Sequence, residues 1–343
     1  LISESLYSLG IPTTRSLAVV KTGEFVQREI MHPGAILSRV ASSHIRIGTF
    51  QFLATNNNIS DLENLLDYTI NRHYPEIKKS KDSAVELLHS FMLRQINLVI
   101  EWMRVGFVHG VMNTDNMTLS GEAIDFGPCA FMDVYKPDTF FSSIDYNGRY
   151  SYKNQPIITK WNIARFAESI IPLINKNKET SIKLATEVLE LFDKYFQKNW
   201  LEMMRSKIGL IRKHKDDKKL ILRLLTIMEE RKMDYTNTFR MLNQKKLYSK
   251  SLDFKNWYSD WQKRVENSGS FESSQKVMMI KNPSVIPRNN LVEQVLNDSK
   301  FGNYKSIKNF LRILKKPYKN YLKETIFIKD PKIDPSYKTF CGT

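Results

Sequence analysis

The feature that most constrains the fold is the order in which two kinds of sequence periodicity follow each other. After a helical segment from Leu1 to Leu9, three short stretches rich in branched and apolar residues predict strands, at residues 15–20, 24–30 and 35–40. After Leu62, apolar residues recur at three and four positions, and this spacing predicts helices. Strands followed by many helices indicate an α+β fold with a small antiparallel sheet.

Two breaks separate the predicted strands. Lys21-Thr22-Gly23 is typical of a turn that closes a hairpin, and the second break is the tripeptide at residues 32–34. Beyond the strands, we predict helices over residues 61–71, 83–105, 160–174, 180–205, 218–233, 237–248 and 252–265.

Between the long helix that ends near Val105 and the helical second half lies an irregular segment, residues 106–156. It is rich in Gly, Asp, Asn, Ser and Pro. A long irregular stretch inside a compact domain is more often functional than structural, so we expect the site of chemistry here.

The composition is that of a folded protein and bears on which partners it binds. Of 343 residues, 42% are hydrophobic and 26% charged, which is typical of a folded chain. The net charge of +16 would suit nucleic-acid binding, but basic residues alternate with acidic ones on predicted helices, as in residues 212–219. We therefore expect no nucleic-acid partner. No run of about 18 apolar residues occurs, so we also expect no membrane partner.

The irregular segment contains HGVMNTDNM at residues 109–117 and EAIDFG at residues 122–127. The catalytic loop of protein kinases has a His seven residues before an Asn, followed by Asp-Phe-Gly, and the Asn and that Asp hold magnesium ions. His109, Asn116 and Asp125 match this spacing. We therefore predict a nucleotide site in which Asn116 and Asp125 are the metal ligands.

One position departs from the kinase pattern. Where kinases have the catalytic Asp, this chain has Val111, which accepts no proton, so ordinary kinase chemistry is disfavoured. Asp115 is a carboxylate next to Asn116 and could act as the base for an attacking hydroxyl. Alternatively, Asp115 and Asn116 are ordinary turn residues, which Asp and Asn commonly are.

Several separated motifs, in the same order, resemble the selenoprotein O family, also called YdiU. They are IPTTRSLAVV, RVASSHIRIGTF, HGVMNTDNM, DFGPCAFMD, GRYSYKNQP, NPSVIPRNN and the ending FCGT. The resemblance covers essentially the whole chain. It implies a protein-kinase-like fold that binds ATP in a flipped orientation and transfers AMP to Ser, Thr or Tyr hydroxyls of protein substrates, with Mg²⁺ or Mn²⁺.

The resemblance also implies roles for individual residues. Asp115 resembles the family's proposed base, Asn116 and Asp125 its metal ligands, and Arg39 and Arg46 its phosphate-contacting arginines. A guanidinium suits phosphate because it offers a planar pair of donors. From the residues alone, Arg39 and Arg46 are better explained as surface charges at strand ends.

The resemblance further implies that a Gly-rich loop, a phosphate-contacting Lys and its partner Glu precede Leu1. We therefore expect an N-terminally truncated member, with residues 1–58 the remainder of the small lobe. Residues 59–343 would form the helical lobe, with the catalytic loop at 107–127 and a helical extension. The alternative functions are an inactive fragment or pseudokinase scaffold, and a true protein kinase. Abundant Lys, Asn and Ile favour a bacterial cytoplasm; a eukaryotic member would be mitochondrial.

The chain has two cysteines, Cys129 and Cys341, which is incompatible with a secreted disulfide framework. The resemblance places a redox-active position at Cys341, and in the family a terminal Cys can bridge to a Cys in the loop after Asp-Phe-Gly. The aligned region here, near Phe141, has no Cys. Our hypothesis is a disulfide between Cys341 and Cys129; the alternative is that Cys341 is a tolerated terminal residue.

Overall fold

The computed structural model describes residues 1–27, 31–56, 59–321, 325–328, 334 and 336–340. Helices dominate, and the strands form two small antiparallel sheets, in agreement with the predicted α+β class. The helices are α1 (Ile2–Ser8), α2 (Ile47–Thr55), α3 (Ile59–His73), α4 (Ser83–Val105), α5 (Gln155–Ile174), α6 (Lys178–Lys207), α7 (Asp217–Glu230), α8 (Tyr235–Asn243), α9 (Leu252–Ser268), α10 (Phe271–Lys281), α11 (Asn289–Lys300), α12 (Tyr304–Leu314) and α13 (Thr325–Ile328). The strands are β1 (Arg15–Gln27), β2 (Met31–Val40), β3 (Phe107–Val108) and β4 (Ala130–Phe131).

The helices follow the predicted pattern closely. α4 has the predicted bounds because Gly106 adopts a left-handed conformation, with φ of 75°, and ends it. α5 begins at Gln155 rather than 160, and its second residue is Pro156, a favoured residue in a first helical turn. α2 was not predicted, since β-branched residues and Gly48 lower helix propensity there. Burial of Ile47 and Phe50 compensates for this.

The two hairpin breaks were predicted wrongly. β1 continues through Lys21-Thr22-Gly23, where the pairing register shifts and Gly23 takes a φ of 82°. Between Lys21 and Phe25, β1 has two residues more than β2, so this stretch, in which Gly23 has positive φ, is a bulge within the strand rather than a turn. Pro33 likewise lies inside β2, where it pairs with Phe25. The segment that joins the two strands, residues 28–30, lies outside the described residues.

The main apolar core lies among the helices, and α4, α5 and α6 pack against one another at its centre. Leu6 of α1 and Phe50 of α2 belong to the same core. The β1–β2 hairpin contributes little, because Gly34 is the one buried residue of these two strands. A smaller apolar cluster of Leu291 and Phe310 packs α11 against α12.

Candidate functional site

Backbone hydrogen bonds fix the irregular segment between two earlier parts of the chain. Ile47 N donates to Met117 O (3.1 Å), next to an isolated antiparallel bridge between Arg46 and Thr118. Farther on, Ala123 N donates to Pro12 O (3.0 Å). The residues before Gly121 are thus held by the start of α2, and those after it by the segment that follows α1.

His109 organises the interior of this segment. It is fully buried, its Nδ1 accepts from Val111 N (3.4 Å), and its Nε2 lies 2.8 Å from Ile124 O. Because a carbonyl only accepts, Nε2 carries the proton and donates, which fixes the neutral tautomer. Burial lowers the pKa of His109, consistent with a neutral ring at pH 7. His109 therefore positions the backbone on either side of the candidate ligands.

Asn116 and Asp125, nine residues apart, come together. Asn116 Nδ2 donates to Asp125 Oδ2 (3.2 Å) and to Val111 O (2.9 Å). Asn116 is buried and ends a short 3₁₀ turn that begins at Thr114. Asp125 has a φ of 62°, a left-handed conformation that is uncommon for a residue other than Gly. Such backbone strain is often found at functional sites.

The carboxylate of Asp115 is exposed and lies against α2. A Cβ atom on Gly48 would overlap Asp115 Oδ1, so the helix and the carboxylate approach this closely only because residue 48 is Gly. Arg46, just before α2, donates through Nη1 to Asp115 O at 3.4 Å. Asp115, Asn116, Asp125 and Arg46 therefore belong to one local site.

Arg39 is placed differently. It lies on β2, pairs with Ser16 of β1 and is exposed to solvent. Among the described residues it makes no hydrogen bond or ion pair to the other candidate residues. The hairpin presents its side chain to solvent, which is compatible with a phosphate contact but does not by itself indicate one.

Two residues of α5, which were not predicted to belong to the site, hold the backbone of residues 107–112 in place through their side chains. Gln155 accepts from His109 N (3.1 Å) and donates to Phe107 O (3.1 Å), and Asn162 donates to Met112 O (2.8 Å). All three bonds are buried. The available sequence signal was weak: Asn162 is a polar residue among the apolar positions of a helix.

Asn116 and Asp125 offer side-chain oxygens of the kind that a divalent cation binds. Nδ2 of Asn116 makes the hydrogen bonds, so its Oδ1 is the atom that can serve as a ligand, beside the carboxylate of Asp125. The described part of the chain contains no cluster of three or more His, Cys, Asp or Glu side chains arranged for a metal. Mg²⁺ in nucleotide sites typically uses one or two protein oxygens, together with phosphate oxygens and waters. The residues present fit that mode.

Cys129 lies four residues beyond Asp125. Its Sγ donates to Phe126 O (3.0 Å). Burial raises the pKa of the Cys129 thiol, so the thiolate is disfavoured. Cys341 lies outside the described residues, and the disulfide between the two remains a hypothesis. Within the described ranges, no helix has both the length and the apolar character to span a bilayer.

Comparison with known proteins identifies the class. A family model described as "Protein adenylyltransferase SelO" matches residues 1–315. A Pelagibacter ubique protein named protein nucleotidyltransferase YdiU is 52% identical over 349 residues, which cover 100% of this chain and 72% of the relative. Proteins of the same name from Nitrosococcus oceani and Bacillus mycoides are 49% and 48% identical, covering all of this chain and 71% and 72% of theirs.

These matches define the class of enzyme as nucleotidyltransferase. The chain belongs to the SelO family.

Proposed function

We propose that this chain is a Mg²⁺-dependent protein adenylyltransferase that transfers AMP from ATP to Ser, Thr or Tyr hydroxyls of proteins. The observation that carries the proposal is the contact between Asn116 Nδ2 and Asp125 Oδ2 (3.2 Å), because it joins an amide and a carboxylate, and oxygens of both groups are of the kind that Mg²⁺ binds. The family's description as an adenylyltransferase supports the reaction class. Mn²⁺ would substitute for Mg²⁺, since both accept oxygen ligands.

The proposal includes a protein-kinase-like fold. Residues 1–58 would belong to the small lobe, and their described elements are α1, the β1–β2 hairpin and α2. Residues 59–343 would be the helical lobe, with the catalytic loop at 107–127. Support comes from the buried His109, which occupies the position of the kinase loop His, and from Asn116 and Asp125, whose counterparts in kinases hold the metal.

In the proposed reaction, a protein hydroxyl attacks the α-phosphorus of ATP. A new phosphorus–oxygen bond forms, the bond between the α-phosphorus and the bridging oxygen breaks, and pyrophosphate leaves. Asp115 accepts the hydroxyl proton, because it is the exposed carboxylate next to the ligand pair. Arg46 and Arg39 would contact phosphate oxygens, and a metal on Asn116 and Asp125 would neutralise phosphate charge. Val111 cannot replace Asp115 as a base.

ATP labelled in two positions tests this proposal. The protein is incubated with Mg²⁺, a protein mixture and ATP that carries the label on either the α- or the γ-phosphorus. Label from α alone on protein supports adenylyl transfer. Label from γ would indicate a protein kinase, and label from neither would indicate an inactive scaffold.

A further inference from the structure

The C-terminal residues 336–340 pack beside the segment that follows Asp125. Thr339 and Ser142 form an isolated parallel bridge, in which Thr339 N donates to Phe141 O and Ser143 N donates to Thr339 O, both at 2.9 Å. The ring of Tyr337 contacts the ring of Phe141, with 6.0 Å between centroids. We call residues 336–340 the C-terminal segment. Both main-chain and side-chain contacts hold it in place.

The side chain of Thr339 makes a further contact, with a residue near Asp125. Its Oγ1 donates to Pro128 O at 2.6 Å, in a buried hydrogen bond between residues 211 positions apart. Thr339 itself is 8% exposed. Pro128 directly follows the Asp125-Phe126-Gly127 sequence, so the bond ends on the segment that carries the proposed metal ligand.

Alternate carbonyls of this segment have side-chain donors. Ile124 O accepts from His109, Phe126 O accepts from Cys129, and Pro128 O accepts from Thr339. The first two donors come from residues 109–129 themselves. Thr339 is the donor that comes from a distant part of the chain.

The Pro128 carbonyl also touches the catalytic loop. Gly110 has a φ of 90°, and a Cβ atom there would overlap Pro128 O, so the two backbones are in direct contact. Gly110 lies between His109 and Val111, which contact Ile124 and Asn116 respectively. Displacement of Pro128 would therefore disturb the backbone next to Ile124 and next to Asn116, on both sides of the ligand pair.

We propose that Thr339 is a positioning residue, whose hydroxyl holds Pro128 O and thereby keeps Asp125 beside Asn116. The inference deepens the proposed function and rests on it for the role of Asp125 in metal binding. Thr339 touches neither nucleotide nor acceptor in this account. It acts through the backbone of residues 124–128.

The test compares Thr339→Val, which keeps the shape and removes the hydroxyl, with Thr339→Ser, which keeps the hydroxyl. Amide hydrogen exchange is measured over residues 122–130, and the Mg²⁺ concentration for half-maximal transfer is measured in parallel. We expect Thr339→Val to raise exchange in this segment and to raise the required Mg²⁺ roughly tenfold, because small displacements at a site have large kinetic effects. Thr339→Ser should restore both. Ser336→Ala, at an exposed position of the same C-terminal segment, is the matched control and should behave like the parent protein.

Three results would overturn the inference: unchanged exchange and Mg²⁺ dependence in Thr339→Val, equal defects in the Val and Ser variants, or exchange that rises equally in all peptides. The last result would indicate general destabilisation. The exchange measurement does not depend on nucleotide transfer. A parent protein that transfers no AMP would therefore contradict the proposed function, while the exchange comparison still tests the Thr339–Pro128 contact.

Discussion

Gly48 and Asp115 lie so close together that a side chain at residue 48 would overlap the Asp115 carboxylate. Gly48 is in the first turn of α2. The N-terminal end of a helix carries partial positive charge, which favours a neighbouring carboxylate. The contact therefore joins a helix of the first 58 residues to the proposed base, 67 positions later in the sequence.

Gly48→Ala should lower the rate of transfer without lowering the stability of the fold. Ala in a helix is more stable than Gly by about 0.5–1 kcal/mol, so unfolding in urea should show equal or greater stability. The methyl group would displace the Asp115 carboxylate, and we expect transfer to fall by roughly tenfold or more. In an Asp115→Ala background, Gly48→Ala should cause no further loss of transfer. An independent second loss would show that Gly48 acts elsewhere.

Asp115→Ala should slow transfer by about 10² or more, the usual range for loss of a general base, while Mg²⁺–ATP affinity stays close to that of the parent protein. Single-turnover kinetics with labelled ATP separate the two quantities. Asp82→Asn, at an exposed position before α4, serves as the control. Weaker nucleotide binding with unchanged turnover would assign Asp115 to binding instead.

Asp217 is a buried carboxylate of the helical region. Its side chain is fully buried, and it accepts from Arg205 and Arg264, both at 2.8 Å, and from His214 N at 2.8 Å. Asp217→Asn removes the carboxylate charge and leaves two guanidinium groups without it, so the free energy of unfolding should fall by about 3–5 kcal/mol. Asp216→Asn, at the exposed neighbouring position, should change stability little.

The same carboxylate predicts a pH dependence. Burial alone would raise the pKa of Asp217, but the hydrogen bonds from Arg264, His214 N and Arg205 hold it below its usual value. A carboxyl with a lowered folded-state pKa stabilises the fold above the unfolded pKa of about 3.9. That stability is lost as the pH falls from there through the folded-state pKa. Asp217→Asn should flatten this acid limb in denaturation curves, and an unchanged limb would contradict the assignment.

Local patterns predicted the helices well, because the apolar spacing of a helix can be read from a single continuous stretch of sequence. α4 is the clearest case: its apolar spacing predicted its bounds, and Gly106 ends it. The β1–β2 hairpin shows the opposite. Gly23 and Pro33 read as turn residues, yet each lies inside a strand, since pairing with the opposite strand outweighed the local preference.

The candidate site was predictable only in part. The spacing of His109, Asn116 and Asp125 indicated a shared site, and the structure brings Asn116 and Asp125 into contact. The contacts of Gly48 with Asp115, and of Thr339 with Pro128, could not be predicted because they join distant segments through packing alone. The roles of these residues in binding and catalysis stay predictions.

The most direct test of the central claim is calorimetry of ATP binding with and without Mg²⁺ to the parent protein, to Asp125→Asn and to the exposed control Asp216→Asn. Loss of a contact to a charged group costs about 1.5–3 kcal/mol, which is roughly tenfold to a hundredfold in affinity. Asp125→Asn should lose this much affinity in Mg²⁺ and little in chelator, whereas Asp216→Asn should match the parent protein in both. Equal Mg²⁺-dependent affinity in all three proteins would contradict the assignment of Asp125 as a metal ligand.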